Sequence, residues 1–309
     1  MDMTRNNLMC DLETGVCGVS GDNEIKVIDL NQPKKLIDLY YVTDPICSHC
    51  WALEPTLRRL KEEYGHYFNF QPVMGGLLEK WGDGPVDPAN GISGPADVAR
   101  HWREVGEYSR MPIDGSVMIN DPVQSSYPPS RVYKVIQKKH GDEKAYEFLR
   151  RAREELFAFN KNISDPTVLT ELVDRLGLNG EAIVKEAEGP TGQALLNEDF
   201  ALAARLGVRG FPTIIMINEE NKGVKIVGSR SLESYISGLS QLLNGEKPKA
   251  NPLPSLSQLL RKEKLLFAKE IELMYDIEPS LLKSFIKKEL PEGSYKEKEL
   301  LGEKYFVAH

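Results

Sequence analysis

Asp44-Pro45-Ile46-Cys47-Ser48-His49-Cys50-Trp51-Ala52-Leu53-Glu54-Pro55 is the stretch that decides the fold. It joins an apolar run, residues 36–42, to an amphipathic stretch, residues 51–64, so two thiols three positions apart fall at a strand-to-helix junction. If the helix begins at or just before Cys47, the i, i+3 spacing puts both sulfurs on one face of its first turn, within reach of a small disulfide ring. Cys47 then sits where unpaired backbone N–H groups and the macrodipole favour a thiolate, which makes it the attacking sulfur. His49 lies between the cysteines, and a protonated imidazole there is expected to lower the Cys47 pKa further, leaving Cys50 as the resolving thiol.

Two other readings of the pair stay open on the residues alone. A lone C-x-x-C can be half of a zinc site, which needs two further Cys or His ligands. Cys10 and Cys17 are the only other cysteines, and their spacing is not that of a zinc knuckle. The remaining alternative is a pair of inert buried cysteines. No metal and no cofactor are expected.

A second feature far along the chain bears on the same chemistry. Gly210-Phe211-Pro212-Thr213 precedes a β-type run at 214–217, a polar turn at 218–223 and a second strand at 224–227. This reads as a hairpin entered through proline, although an ordinary trans proline opening an edge strand would look the same. D-P-x-C-x-x-C-W followed much later by G-x-P-T before a hairpin resembles the thioredoxin superfamily, and the long helical stretch between them resembles its DsbA branch. The resemblance implies that Pro212 is cis and packs beside Cys47 and Cys50, exposing the Phe211 backbone for pairing with a substrate. It further implies that Ser48, Trp51 and Thr213 flank the pair as substrate contacts.

The expected fold class is therefore α/β: a thioredoxin fold with a large DsbA-like helical insertion, plus a small, mainly helical C-terminal module. Residues 1–24 form an N-terminal extension carrying the Cys10 and Cys17 pair. Residues 25–91 form the first half of the fold, with strands at 25–29, 35–42 and 68–74. Its helix at 47–64 carries Leu53, Leu57, Leu60 and Tyr64 at helical spacing, and Pro55 should kink it. Gly75-Gly76 ends the third strand, and 77–90 is loop. Residues 92–207 are the helical insertion, in which Asp165-Pro166 starts a helix, Asn179-Gly180 ends it and Gly207 ends a later one. Ser125 to Pro129 reads as a loop at the mouth of a groove or as a plain connection. Residues 208–245 complete the fold, and 252–309 form a separate module of three short helices and a terminal strand, winged-helix-like in order.

At 309 residues, 41% hydrophobic and 28% charged, the chain has the composition of an ordinary globular protein. A net charge of -7 argues against nucleic acid or an anionic membrane as partner. Acidic and basic residues balance over 252–309, whereas DNA recognition wants a basic face. A dimerisation or partner-docking appendage, in a homodimer or a complex, fits that module better. No signal-peptide pattern opens the chain, so a cytoplasmic location is expected.

The stretch from Asp44 to Pro55 also resembles the FrnE-like and YjbH/SpxH-like group of cytosolic DsbA-family proteins. The likeness extends over residues 36–245, and the C-terminal helices resemble those of the SpxH adaptors, which deliver the regulator Spx to the ClpXP protease. Ser48 stands where periplasmic DsbA has proline, so the DsbA reduction potential does not carry over. Cys10 and Cys17 resemble the extra cysteine pair of some FrnE-like proteins. A redox role for them stands beside a static structural pair and two idle thiols. The resemblance implies a thiol-disulfide oxidoreductase or isomerase acting on protein substrates with disulfides or thiols. Its alternative is an adaptor that binds a transcriptional regulator and uses the cysteines as a redox switch. In a cytosolic glutathione poise such a pair rests reduced.

Overall fold

The computed structural model describes residues 37–82, 87 and 91–309. The expected strand at 25–29, the Cys10 and Cys17 pair and part of the 77–90 loop lie outside the described residues. The chain divides after Lys34, and the described residues belong to the compact unit Lys35–His309.

Alternating burial in β1 (Ile37–Thr43) makes it the centre of a four-stranded sheet. It runs parallel to β2 (Phe68–Met74), with Ile37 opposite Phe68 and Thr43 opposite Met74. A parallel pair needs a crossover, and α1 (Ser48–Tyr64) supplies it. On its other side β1 runs antiparallel to β3 (Thr213–Asn218), which forms a hairpin with β4 (Gly223–Val227). The order is β2-β1-β3-β4. Leu53, Leu57 and Leu60 of α1 pack with Tyr235, Leu239 and Leu242 of α8 (Leu232–Leu242) against Leu39, Tyr41, Ile214 and Met216 of the sheet. The expected kink at Pro55 does not break α1, which continues as one helix to Tyr64.

The insertion between β2 and β3 contains α2 (Pro95–Ser109), α3 (Val117–Asn120), α4 (Tyr127–Arg153), α5 (Pro166–Arg175), α6 (Gly180–Glu188) and α7 (Pro190–Arg205). A π-helical turn, Glu154–Ala158, follows α4 directly. Asp165 caps α5 as expected, accepting from the Thr167 N–H at 2.6 Å. Asn179-Gly180 begins a helix where the sequence reads an end: the Asn179 side chain caps α6, and the left-handed residue after α5 is Gly177, at φ 76°. The Ser125 to Pro129 stretch is likewise the start of α4, because proline is accommodated in a first helical turn. Gly141, at φ 85°, bends α4 in its middle.

Residues 252–309, expected to stand apart beyond a linker, close against α1 instead. They form α9 (Leu256–Glu263), β5 (Leu265–Phe267), α10 (Ala268–Tyr275), α11 (Leu282–Glu289) and the hairpin β6 (Tyr295–Leu300) and β7 (Glu303–Ala308), with sheet order β5-β7-β6. The charged run of β6 shows no apolar alternation, which hid that strand from sequence reading. The module has its own core around Leu260, Ile271, Ile286 and Phe306, while Phe267 and Tyr305 enter the core of the helical insertion. Arg58 of α1 forms ion pairs with Glu263 at 3.1 Å and Glu270 at 3.3 Å, and Arg150 of α4 reaches Glu270 at 2.8 Å. No described helix is long and apolar enough to cross a membrane.

Candidate functional site

β1 ends at Thr43, and Asp44-Pro45-Ile46 turns the chain into α1 with Cys47 as its N-cap. The Cys47 sulfur takes the place of the usual capping oxygen, accepting from the Cys50 N–H at 3.2 Å. Both cysteines are free thiols, and both are buried: Cys47 is 5% exposed and Cys50 not at all. The turn is held by Asp44, a fully buried carboxylate that accepts from the N–H groups of Ile46 (3.0 Å) and Leu77 (2.8 Å) and from the Ser126 hydroxyl (2.8 Å). Burial pushes the Asp44 carboxyl up to about 6, against those three hydrogen bonds and the charge of Arg153.

The other wall of the site comes from the hairpin. Val42 pairs with Thr213, so one further step along the same register sets Pro212 beside Thr43, at the sheet end that leads to Cys47. The Phe211–Pro212 peptide is cis. Pro212 accepts from the Gly228 N–H at 2.8 Å, and the Thr213 hydroxyl donates to the Gly210 carbonyl at 2.8 Å. Phe211 packs partly buried against the core that holds Cys47 and Cys50. Its ring lies over Gly75, where a Cβ would stand 2.0 Å from the ring. Gly76, at φ 71°, is covered in the same way by Phe200, whose ring meets Tyr127 at 5.2 Å between centroids. Leu77 beside them is 45% exposed, giving the site an apolar rim.

Not every expected contact is in place. Trp51 is a core residue and no substrate contact: it is fully buried, its indole N–H donates to the Pro112 carbonyl at 3.1 Å, and its ring stacks on Phe157 and meets Phe267 edge-on. Pro112, Arg150 and Phe157 of the helical insertion and Phe267 of the C-terminal module together cover this face. Ser48 and Thr213 are 4% and 1% exposed, which leaves Phe211 as the accessible member of that set. His49 is exposed, but its ring meets that of His101 at 5.3 Å. Partial desolvation, then the neighbouring His101, lower its pKa, which disfavours the charged imidazolium expected to activate Cys47.

The electrostatics of the thiols also differ from expectation. Burial raises the Cys47 thiol well above its ordinary value, reinforced by the hydrogen bond and charge it shares with Cys50. Burial acts on Cys50 too, but is outweighed by the bond from Cys47, the Arg153 charge, the Thr43 hydroxyl and the Asp44 N–H, and the Cys50 thiol is lowered. The surroundings therefore favour the thiolate at Cys50 over the thiolate at Cys47. Attack by Cys47 requires that its own proton be given up. Arg153, Asp44 and Ser126 are functional neighbours that motif reading missed. Only the alternation of charged residues with the apolar stripe of α4 hinted that one of its arginines points inward. Among the described residues, no three His, Cys, Asp or Glu side chains come together to hold a metal ion.

A central strand paired in parallel across a helix whose N-terminus carries C-x-x-C, with a proline-led hairpin on the other side, defines a thioredoxin fold with a DsbA-like helical insertion. The comparisons agree. A family model described as thioredoxin matches residues 40–237. The ClpXP adapter protein SpxH of Halalkalibacterium halodurans is 31% identical over 276 residues, 88% of each chain. The protein of that name from Bacillus subtilis is 30% identical over 249 residues, 79% of this chain and 80% of its own. Among solved structures, the cytosolic disulfide reductase DsbM of Pseudomonas aeruginosa matches 67% of this chain and 94% of its own, at 22% identity and a TM-score of 0.50. A DsbA-like protein of Streptomyces coelicolor matches 71% and 94%, at 15% identity and a TM-score of 0.53. The chain belongs to the thioredoxin family and, within it, to the SpxH-like group.

Proposed function

We propose that the chain is an adaptor of the SpxH kind, which holds a transcriptional regulator and presents it to the ClpXP protease, with Cys47 and Cys50 as a redox control on that binding. The observation that carries this reading is the reach of the similarity. An alignment over 88% of the chain leaves out fewer residues than 252–309 contains, so it extends into the C-terminal module. The DsbA-type structures, by contrast, are themselves almost fully covered by 67% to 71% of this chain. What the adaptor relatives share beyond the thioredoxin fold is the part that here grips the back of the redox helix through Arg58, Arg150 and Glu270. A cysteine pair this deeply buried also suits a switch better than rapid turnover. Binding of fluorescently labelled Spx to the purified chain, measured by anisotropy, tests the proposal. Saturable binding that persists in Cys47→Ser/Cys50→Ser supports it; absence of binding in both redox states removes it.

The site geometry favours a second reading, thiol-disulfide exchange on protein substrates. Cys47, as thiolate, attacks one sulfur of a substrate disulfide; that bond breaks, the other substrate sulfur leaves as a thiolate, and a mixed disulfide forms. Cys50 then attacks the Cys47 sulfur, the second substrate thiol departs, and the Cys47–Cys50 disulfide carries the two electrons' worth of oxidation. A low-molecular-weight thiol or a dithiol protein must reduce the pair again. Phe211 and Pro212 offer backbone to an extended substrate at the sheet end. Reduction of insulin by the wild type and by Cys47→Ser decides this reading: a rate above background that Cys47→Ser abolishes supports exchange, and equal background rates exclude it.

A further inference from the structure

Beneath the cysteine pair the protein buries a full positive charge. Arg153 is the last residue of α4, at the point where the chain enters the π-helical turn, and none of its side chain is exposed. Its Nη1 pairs with Glu54. Its Nη2 donates to the Thr43 hydroxyl oxygen and, at 3.0 Å, to the Asp44 carbonyl. Its Nε has no partner. An ion pair this deep adds little net stability over apolar side chains of the same size, since the desolvation cost offsets the attraction. Glu54 is moreover shared with the Tyr146 hydroxyl, 2.9 Å away.

Both groups that Arg153 grips on the sheet side belong to the chain leading into the redox helix: Thr43 ends β1, and the Asp44 carbonyl that Arg153 bonds also accepts from the Cys47 N–H at 3.2 Å. We propose that Arg153 is a positioning residue for the cysteine pair, holding the turn that carries Cys47 and setting a buried positive charge behind the pair, and so favouring the dithiol over the disulfide. The inference deepens the exchange-pair reading of Cys47 and Cys50 and applies equally if the pair serves only as a switch. The other ionisable groups facing Arg153 and the pair are Tyr41 from β1, Asp44 from the turn, Glu54 from α1, Tyr133 and Tyr146 from α4 and Tyr235 from α8.

Ultraviolet thiolate absorbance against pH tests it, on the reduced full-length chain with Cys10→Ser and Cys17→Ser so that one pair reports. Arg153→Met alone would strand Glu54, so the informative variant is Arg153→Met/Glu54→Gln, which removes both charges and keeps the volume. The first thiolate midpoint should rise by roughly one pH unit or more, as expected for loss of an opposite charge. Thr43→Val, which keeps the shape and removes one of the groups that fix the Arg153 guanidinium, should move it the same way by a smaller amount. Arg153→Lys should return the midpoint toward wild type. In glutathione buffers the same variants should shift toward the disulfide, by up to tenfold per pH unit of midpoint change. A midpoint unchanged in Thr43→Val and in the double variant, or in Thr43→Val alone where the double variant does not fold, overturns the proposal. The titration needs no substrate, so a chain with no insulin-reducing activity leaves it fully testable.

Discussion

Asp44 shows how one side chain can both build the site and weaken the fold. Its carboxyl, at about 6 when folded and near 3.8 otherwise, binds its proton more tightly in the folded chain. Between about pH 4 and 6 the folded state therefore holds more protons than the unfolded one, and the contribution to stability falls as pH rises. A gap of about two pH units between the folded and unfolded carboxyl corresponds to roughly 3 kcal/mol. Asp44→Asn should abolish that slope. Its stability relative to wild type, from urea unfolding, should improve by on the order of 2–3 kcal/mol between pH 4 and 7. A difference that stays constant over this range would show that the carboxyl does not titrate there. At the same scale, the placement of Cys47 and Cys50 at the start of α1 and of Pro212 just before β3 was legible in the sequence because each is fixed by a local motif. The surroundings of His49 and Arg153 were not, because they depend on partners from distant parts of the chain: Arg153 reaches Thr43 across 110 residues.

The elements were legible wherever a face is half buried. β2 and the length of α1 follow from their apolar periods, and α1 keeps its continuity through Pro55 because packing on several sides outweighs one missing hydrogen bond. β6 escaped notice because its side chains alternate in charge and both its faces are largely exposed. The junction after β2 joins the sheet to the site. Gly75 leaves room for the Phe211 ring, and any Cβ there must displace it. Gly75→Ala should destabilise by about 1–3 kcal/mol through overpacking. Phe211→Ala in the same chain should recover part of that loss, giving a coupling energy above about 0.5 kcal/mol in a double-mutant cycle of thermal or urea unfolding. Additive effects would mean that the ring does not set the requirement for glycine.

For the whole molecule, the deciding fact is that the C-terminal module is built into the body. Exposed pairs such as Lys262–Glu62 contribute little to this, being solvated and screened. The joint is made by buried groups: Phe267 against Trp51, and Glu270 between Arg58 and Arg150 while also accepting from the Phe267 N–H at 2.9 Å. Glu270→Ala leaves two buried guanidinium groups facing each other and should cost about 3–5 kcal/mol. Because the same residues anchor α1, the loss should appear in the unfolding of the thioredoxin core as well as in that of the module, read by hydrogen exchange in both regions. Early opening of 252–309 alone would mean that the module is only loosely attached. The sequence indicated the presence and helical character of this module but not its docking, since Arg58 and Arg150 look like ordinary exposed helix charges until Glu263 and Glu270 arrive from far along the chain.

The proposed adaptor role is tested most directly by the rate at which reconstituted ClpXP degrades Spx with and without this chain. The account predicts acceleration by the wild type at substoichiometric amounts, retention of that acceleration in Cys47→Ser/Cys50→Ser, and a change in it when the wild-type pair is oxidised. No acceleration in any redox state, together with insulin reduction that depends on Cys47, would contradict it and leave thiol-disulfide exchange as the function.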